Sequence, residues 1–300
     1  MAQKDRTKTA LDESRMLMLG AQVLLGFQFQ APFQDAFGQL SQTEKTLELL
    51  LLVIMTVVIG LLIAPSAHHR IVYDGRATAS LDRFVAQMSE LTLAPFSTAL
   101  ALNLAIAASR TVGITSAWIT GIASCAFTTL LWYAPALANK GGKPVTTSDD
   151  KTPLEAKIDY VLTEARVILP GAQAMLGFQL AIVLTSGFVQ LPSQVKTIHG
   201  FALGLIAIST VLLITPATYH RLVYAGNNEP SFHRLASRLL LSASIFLALG
   251  LAADTYVVAL KISENSRIAV SLALIALVVL AALWIVWPWL LRRKTEREHA

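Results

Sequence analysis

The sequence predicts an all-α integral membrane protein. Eight transmembrane helices are expected, as two parallel four-helix repeats about a pseudo-two-fold axis along the membrane normal. Three observations predict this. Uncharged apolar runs reach the length of about 18 residues or more that crosses a hydrocarbon core, in a chain of 300 residues that is 54% hydrophobic and only 14% charged. A single offset of 151 residues superimposes one half of the chain on the other without a gap. Lys and Arg segregate to alternate connections.

The repeat comes first, because self-similarity at a fixed period sets the architecture. Glu13–Phe29 faces Glu164–Leu180 with nine of seventeen positions identical. Leu62–Gly75 faces Leu213–Gly226 with eight of fourteen identical. Phe37-Gly-Gln-Leu40 faces Phe188-Val-Gln-Leu191, and Leu81-Asp-Arg83 faces Phe232-His-Arg234. Shared apolar composition does not produce matched Gln, Pro, His, Arg and Gly at one offset, so the chain is a tandem duplication. The expected units are 1–138 and 159–300, joined by a polar Gly/Pro-containing linker at 139–158.

Each unit supplies four apolar segments: 16–36, 47–66, 84–108 and 113–137, then 167–190, 198–217, 235–260 and 268–291. They are expected as helices, since open strands do not survive in lipid and no alternating barrel pattern is present. Nineteen Lys and Arg fall at the end of the bundle that holds the N-terminus and five at the other. Cytoplasmic connections retain such residues. Both termini are therefore expected on the cytoplasmic side of a cell (inner) membrane. An even number of spans per unit makes the repeat parallel. The net charge of +5 belongs to these connections. It suggests the bilayer, with anionic lipid at the cytoplasmic face, as partner rather than nucleic acid. The single cysteine, Cys125, excludes an intrachain disulfide and a cysteine-based metal site. Residues 1–15 are polar and do not read as a cleavable leader.

Two signatures recur in both units. The first is Glu13-x-Arg15 leading into Gly20, Gln22, Gly26 and Gln28, repeated as Glu164, Arg166, Gly171, Gln173, Gly177 and Gln179. Arg15, Gln22 and Gly26 fall near one helix face, while Gln28 and Gln179 point elsewhere. Small residues and Gln are what a close helix–helix seam needs. The competing reading has Gln22, Gln28, Gln173 and Gln179 lining a polar path. The second signature is Pro65-x3-His69-Arg70-x-x-Tyr73-x-Gly75 and its copy at Pro216, His220, Arg221, Tyr224 and Gly226. Helix capping, snorkelling and interface anchoring account for every residue type in it. In the other reading Glu13 and Glu164 pair with Arg70 and Arg221, and His69 and His220 titrate in a charge cluster at the inner mouth.

Ionisable groups inside spans are costly and are functional candidates by default. Glu90 and Asp254 qualify. The offset pairs Asp254 with Asn103, polar positions at equivalent depth in the two units. His199 reads as an interfacial residue. No phosphate loop, zinc-spaced cluster or nucleophile elbow is present, so no catalytic residue, metal or cofactor is expected and the chain does not read as an enzyme.

The paired signatures resemble an uncharacterised bacterial family of small four-helix membrane proteins, a domain of unknown function. There a Glu-x-Arg precedes a Gly-x-Gln first helix, and Ala-Pro-x3-His-Arg closes the second. Here these are Glu13, Arg15, Gly20, Gln22 and Ala64, Pro65, His69, Arg70. The second copy has Thr215 in place of the alanine. The family members are single units, so the fused pair is a departure. Some carry the label sodium:proton antiporter, which implies cation exchange. Only Asp254 and the His/Glu cluster support that here. The two functions to weigh are a small-ion or proton-coupled transporter or channel, and a non-transporting scaffold or accessory subunit with a basic cytoplasmic face for lipid or a partner.

Overall fold

The computed structural model describes residues 3–76, 78–138, 152–224 and 227–298, without the side chains of 3–16, 134–138, 295, 296 and 298. The described residues form helices and connections. In the first half these are α1 (Gln3–Gln30), two 3₁₀ turns (Ala31–Phe33 and Asp35–Gln39), α2 (Gln42–Ile71), α3 (Ala79–Thr111) and α4 (Ile114–Ala138). In the second half they are α5 (Leu154–Ile182), the one-turn α6 (Ser186–Val189), α7 (Ser193–Leu222), α8 (Pro230–Ser263) and α9 (Ser266–Ala281). A π turn (Ala282–Val286) joins α9 to α10 (Trp287–Glu298).

Seven of these helical segments are long and apolar enough to cross a membrane: α2, α3, Ile114–Tyr133 of α4, α5, α7, α8 and Ser266–Lys294. The chain is thus an all-helical integral membrane protein. α1 adds a shorter apolar stretch, Leu17–Phe33. Several helices outrun their apolar segments. α3 begins at Ala79 rather than 84, where Thr78 caps it by accepting from Leu81 N at 3.1 Å. α5 begins at Leu154, inside the expected linker, because Ala156 and Ile158 are already buried there.

Helix ends follow local chemistry. Ser41 and Glu44 form a reciprocal capping box on α2: Ser41 N donates to Glu44 at 2.8 Å and Glu44 N to Ser41 at 3.2 Å. Asn265 caps α9 by accepting from Arg267 N at 2.9 Å. α2 and α7 continue through Pro65 and Pro216 to Ile71 and Leu222, under two turns later. The turn after α2 needs left-handed backbone at Asp74 (φ 50°) and Gly75 (φ 72°).

α2 is the central element. It packs on α1 and α3 of its own half and on α8, α9 and α10 of the other. α5 packs on α7 and α8, and its broadest contact across the halves is with α1. In that seam the Gln22 side chain occupies the space over Gly171 where any Cβ would stand. The Phe178 ring likewise fills the space over Gly26. These glycines let the two backbones approach.

The contacts that Gln22, Gly26 and α2 make across the halves run one way. A closed two-fold arrangement repeats each contact with the roles exchanged. Gln22 on Gly171 would be matched by Gln173 on Gly20, yet Gln173 is exposed and the nearest atom to a Cβ on Gly20 is Phe96 Cζ at 4.0 Å. Phe178 over Gly26 would be matched by Phe27 over Gly177. Phe27 is 54% exposed, and nothing stands within 4 Å of a Gly177 Cβ. These contacts lack the reciprocal partners that the expected pseudo-two-fold pairing calls for, although Asp35 and Ser186, equivalent positions of the two units, do touch. One face of the first unit meets a different face of the second.

Candidate functional site

Three helices of the second unit bring Gln179 (α5), His199 (α7) and Asp254 (α8) together in the buried interior, each no more than 1% exposed. Gln179 Nε2 donates to Asp254 Oδ2. Asp254 Oδ1 lies 3.2 Å from His199 Nδ1, an ion-pair approach. The other ring nitrogen, Nε2, faces the Gln179 backbone carbonyl at 3.2 Å. The Nε2 contact with Gln179 is a hydrogen bond when that nitrogen carries the proton, whereas the Nδ1 approach to Asp254 Oδ1 is a charge contact without hydrogen-bond geometry. The Phe188 ring stands edge-on against His199, with centroids 5.2 Å apart.

The offset of 151 maps this triad onto Gln28, Glu48 and Asn103. Glu48 and His199 are each the seventh residue of their helices, α2 and α7. α1, α2 and α3 pack against one another as α5, α7 and α8 do. Gln28 is 2% exposed, and both atoms of its amide lack a protein hydrogen-bond partner among the described residues. Glu48 is 9% exposed. Asn103 is half-buried and donates to Ala99 O on its own helix at 2.8 Å. Each unit thus holds an amide, a carboxylate and a third polar group at equivalent positions. The carboxylate is on the second helix in one unit and the third helix in the other. The offset pairs Asn103 with Asp254, while His199 reads as interfacial in the sequence and Glu48 belongs to neither repeated signature. The signal was available, since the offset pairs 48 with 199.

At the opposite, basic end lies a second buried cluster. Arg70 on α2 donates from Nε to Glu164 Oε2 at 2.7 Å and from Nη2 to Glu164 Oε1 at 2.8 Å, a two-pronged pair across the halves. His69 Nδ1 contacts the same carboxylate, and the Tyr160 ring stands edge-on to His69 at 5.4 Å. His233 Nε2, on α8, lies 3.4 Å from Arg70 Nη1. The side chains of Arg70 and Glu164 are wholly buried. The neighbouring His68 stacks on Phe84 at 4.0 Å and meets Trp287 edge-on. Tyr160, His68, Phe84 and Trp287 have no identical counterpart at the 151-residue offset.

The remaining candidates scatter. Gln22 is fully buried, and neither amide atom has a protein hydrogen-bond partner among the described residues. Gln173, Glu90, Arg166 and Arg221 are exposed. Glu90 contributes only its carbonyl, accepting from Tyr133 Oη at 3.0 Å. His220 is half-buried against Phe232, with ring centroids 4.8 Å apart. The expected inner cluster thus forms around Glu164 and not around Arg166 or Arg221, because the halves do not meet reciprocally. The side chains of Glu13 and Arg15 lie outside the described residues.

A cavity of about 240 Å³ opens at the end opposite the basic one, between the halves. Gln34, Asp35, Lys45, Ser186, Gln190, Lys261 and Glu264 supply its polar lining, and Ser186 donates to Asp35 across it. Gly187 also lines it, and the next residue is Phe188, the ring against His199. Among the described residues no group of three or more His, Cys, Asp or Glu is arranged to hold a metal ion.

Each half of the chain matches the model of a family of unknown function (DUF6328), over residues 2–136 and 149–288. The chain belongs to this family. It carries two DUF6328 units in tandem, consistent with duplication. No curated protein and no solved structure matches the chain.

Proposed function

We propose that this tandem DUF6328 protein is a small-ion or proton-coupled transporter. The observation that carries the reading is the buried Gln179–His199–Asp254 cluster, whose counterparts in the first unit are again polar: Gln28 and Glu48 are buried and Asn103 is half-buried. A buried carboxylate in a membrane is expensive, and such groups mark ion and proton routes. A proton delivered to His199–Asp254 turns a buried anion into a net-neutral pair, which the apolar interior favours. Gln22 lies on α1 between the triad end and the basic end, with amide atoms free for a passing water or ion. The polar cavity between the halves supplies entry at the triad end. In this reading the protein spans the cell (inner) membrane eight times, with α1 as the additional span. Both termini are cytoplasmic, and the cavity opens outward. The nineteen basic residues at one end support that orientation.

The protein in liposomes would be assayed for H⁺ and Na⁺ flux under an imposed gradient. Flux that falls at least tenfold in Asp254→Asn and falls in Gln22→Leu supports the assignment. Flux unchanged in both removes these residues from the route, and no flux of either ion in the parent protein counts against transport.

One observation favours a scaffold. Arg166, Arg221, Arg234, Arg238, Arg292 and Arg293 are all exposed at the basic end, an array suited to anionic lipid. Thermal stabilisation by anionic but not zwitterionic lipid, together with absent flux, would select this second reading.

A further inference from the structure

We infer that a second copy of this chain docks head-to-tail on the surface formed by α5 and α7, so that the protein works as a closed ring of DUF6328 units. The inference rests on the one-way packing of the halves and is independent of what, if anything, the protein transports.

Inside one chain, a face of unit one containing Gln22, Gly26 and α2 seats on unit two. Unit two repeats that same face and shows it to the outside. Gln173, counterpart of Gln22, is exposed within a membrane segment, where an unpartnered amide is costly. Gly177, counterpart of Gly26, has open space where its Cβ would stand, as do Gly200 and Gly204 on the neighbouring α7. Gly200-x3-Gly204 is the small-residue spacing that lets membrane helices approach closely. Val211 is 62% exposed, whereas its counterpart Gly60 is buried against Leu280 and Leu283 and accepts a hydrogen bond from Trp284. Arg221 is exposed, whereas Arg70 is locked onto Glu164.

The complementary face is equally open on unit one. Phe27, counterpart of the Phe178 that covers Gly26, is 54% exposed. Gly20, counterpart of the Gly171 that receives Gln22, has only Phe96 within 4.0 Å. One chain therefore presents one used and one unused copy of each half of the same interface. A heterologous contact of this kind propagates until it closes as a ring or continues as a filament. The smallest closed ring is two chains.

The test uses the full chain with Cys125→Ala as background. Two single variants, Phe27→Cys and Gly177→Cys, are co-expressed with different tags and oxidised in the membrane. A third variant carries Gly26→Cys and Phe178→Cys together and reports the contact within one chain. The expected result is a species of twice the chain mass bearing both tags, absent when either single variant is expressed alone. The 26/178 variant should close without change of mass. Native mass spectrometry of the parent protein from lipid nanodiscs should give a closed particle of at least two chains. Closure at 26/178 with no link at 27/177 and a single-chain mass would overturn the inference. Gly177→Cys linking to itself would do the same by showing a two-fold contact, and failure of 26/178 to close would remove its basis.

Discussion

Glu164, on the first long helix of the second DUF6328 unit, accepts both prongs of the Arg70 guanidinium from the second helix of the first unit, at 2.7 and 2.8 Å. The pair is wholly buried and joins the two halves of the duplicated chain. Removing one partner of such a pair leaves an uncompensated charge, which costs about 3–5 kcal/mol. Glu164→Ala and Arg70→Ala should each lower the unfolding midpoint in lipid nanodiscs steeply. Arg166→Ala, two residues along and exposed, should leave it within about 0.5 kcal/mol. In a double-mutant cycle the two losses should be far from additive.

The seam between α1 and α5 makes opposite predictions for two residues in contact. Gly171→Leu drives a side chain into the space that Gln22 fills and should destabilise by about 1–3 kcal/mol or more, as overpacking does. Gln22→Leu removes a buried amide with no hydrogen-bond partner among the described residues, so its stability cost should be near zero or negative. Parallel thermal unfolding of the two variants checks both.

Gly75 closes the turn after α2 with φ at 72°, and a Cβ there would stand 2.8 Å from His233 Nε2 and 3.2 Å from Arg70 Nη1. Gly75→Ala should therefore cost at least the ~1–2 kcal/mol of left-handed backbone. It should also disturb the Arg70–Glu164 pair, so its loss should shrink in an Arg70→Ala background.

Trp284, in the π turn between α9 and α10, donates to the Gly60 carbonyl at 2.8 Å. Trp284→Phe should cost about 1 kcal/mol for the lost hydrogen bond. Trp284→Ala should cost about 3–5 kcal/mol, because the ring is buried against α2. Near-ultraviolet circular dichroism would report the loss of that fixed indole environment.

The duplication was legible as matched letters at one offset, the helical membrane class as uncharged apolar runs, and Glu164, His69 and Arg70 as members of the repeated signatures. How the copies meet was not. Glu13 and Glu164 are identical in their motifs, as are Gln22 and Gln173, and a symmetric pattern holds no information about which copy is buried. Only the packed structure shows Gln22 seated on Gly171 while Gln173 faces outward. Glu48 and His199 escaped notice for a different reason. Each lies about two turns inside an apolar helix near its polar end, where an ionisable residue reads as interfacial. Depth became visible only with α1, α3, α5 and α8 packed over them. The aromatic partners Tyr160 and Phe188 have no pattern of their own, and tertiary contact alone gives them a place.

Asp254 and Glu48, the buried carboxylates of the two units, are proposed to serve one route. Proton flux into liposomes should therefore be compared for Asp254→Asn, Glu48→Gln and the double variant, each first shown to be folded. The account predicts that each single variant loses at least tenfold and that the double abolishes flux. Flux equal to the parent protein in the double variant would contradict it.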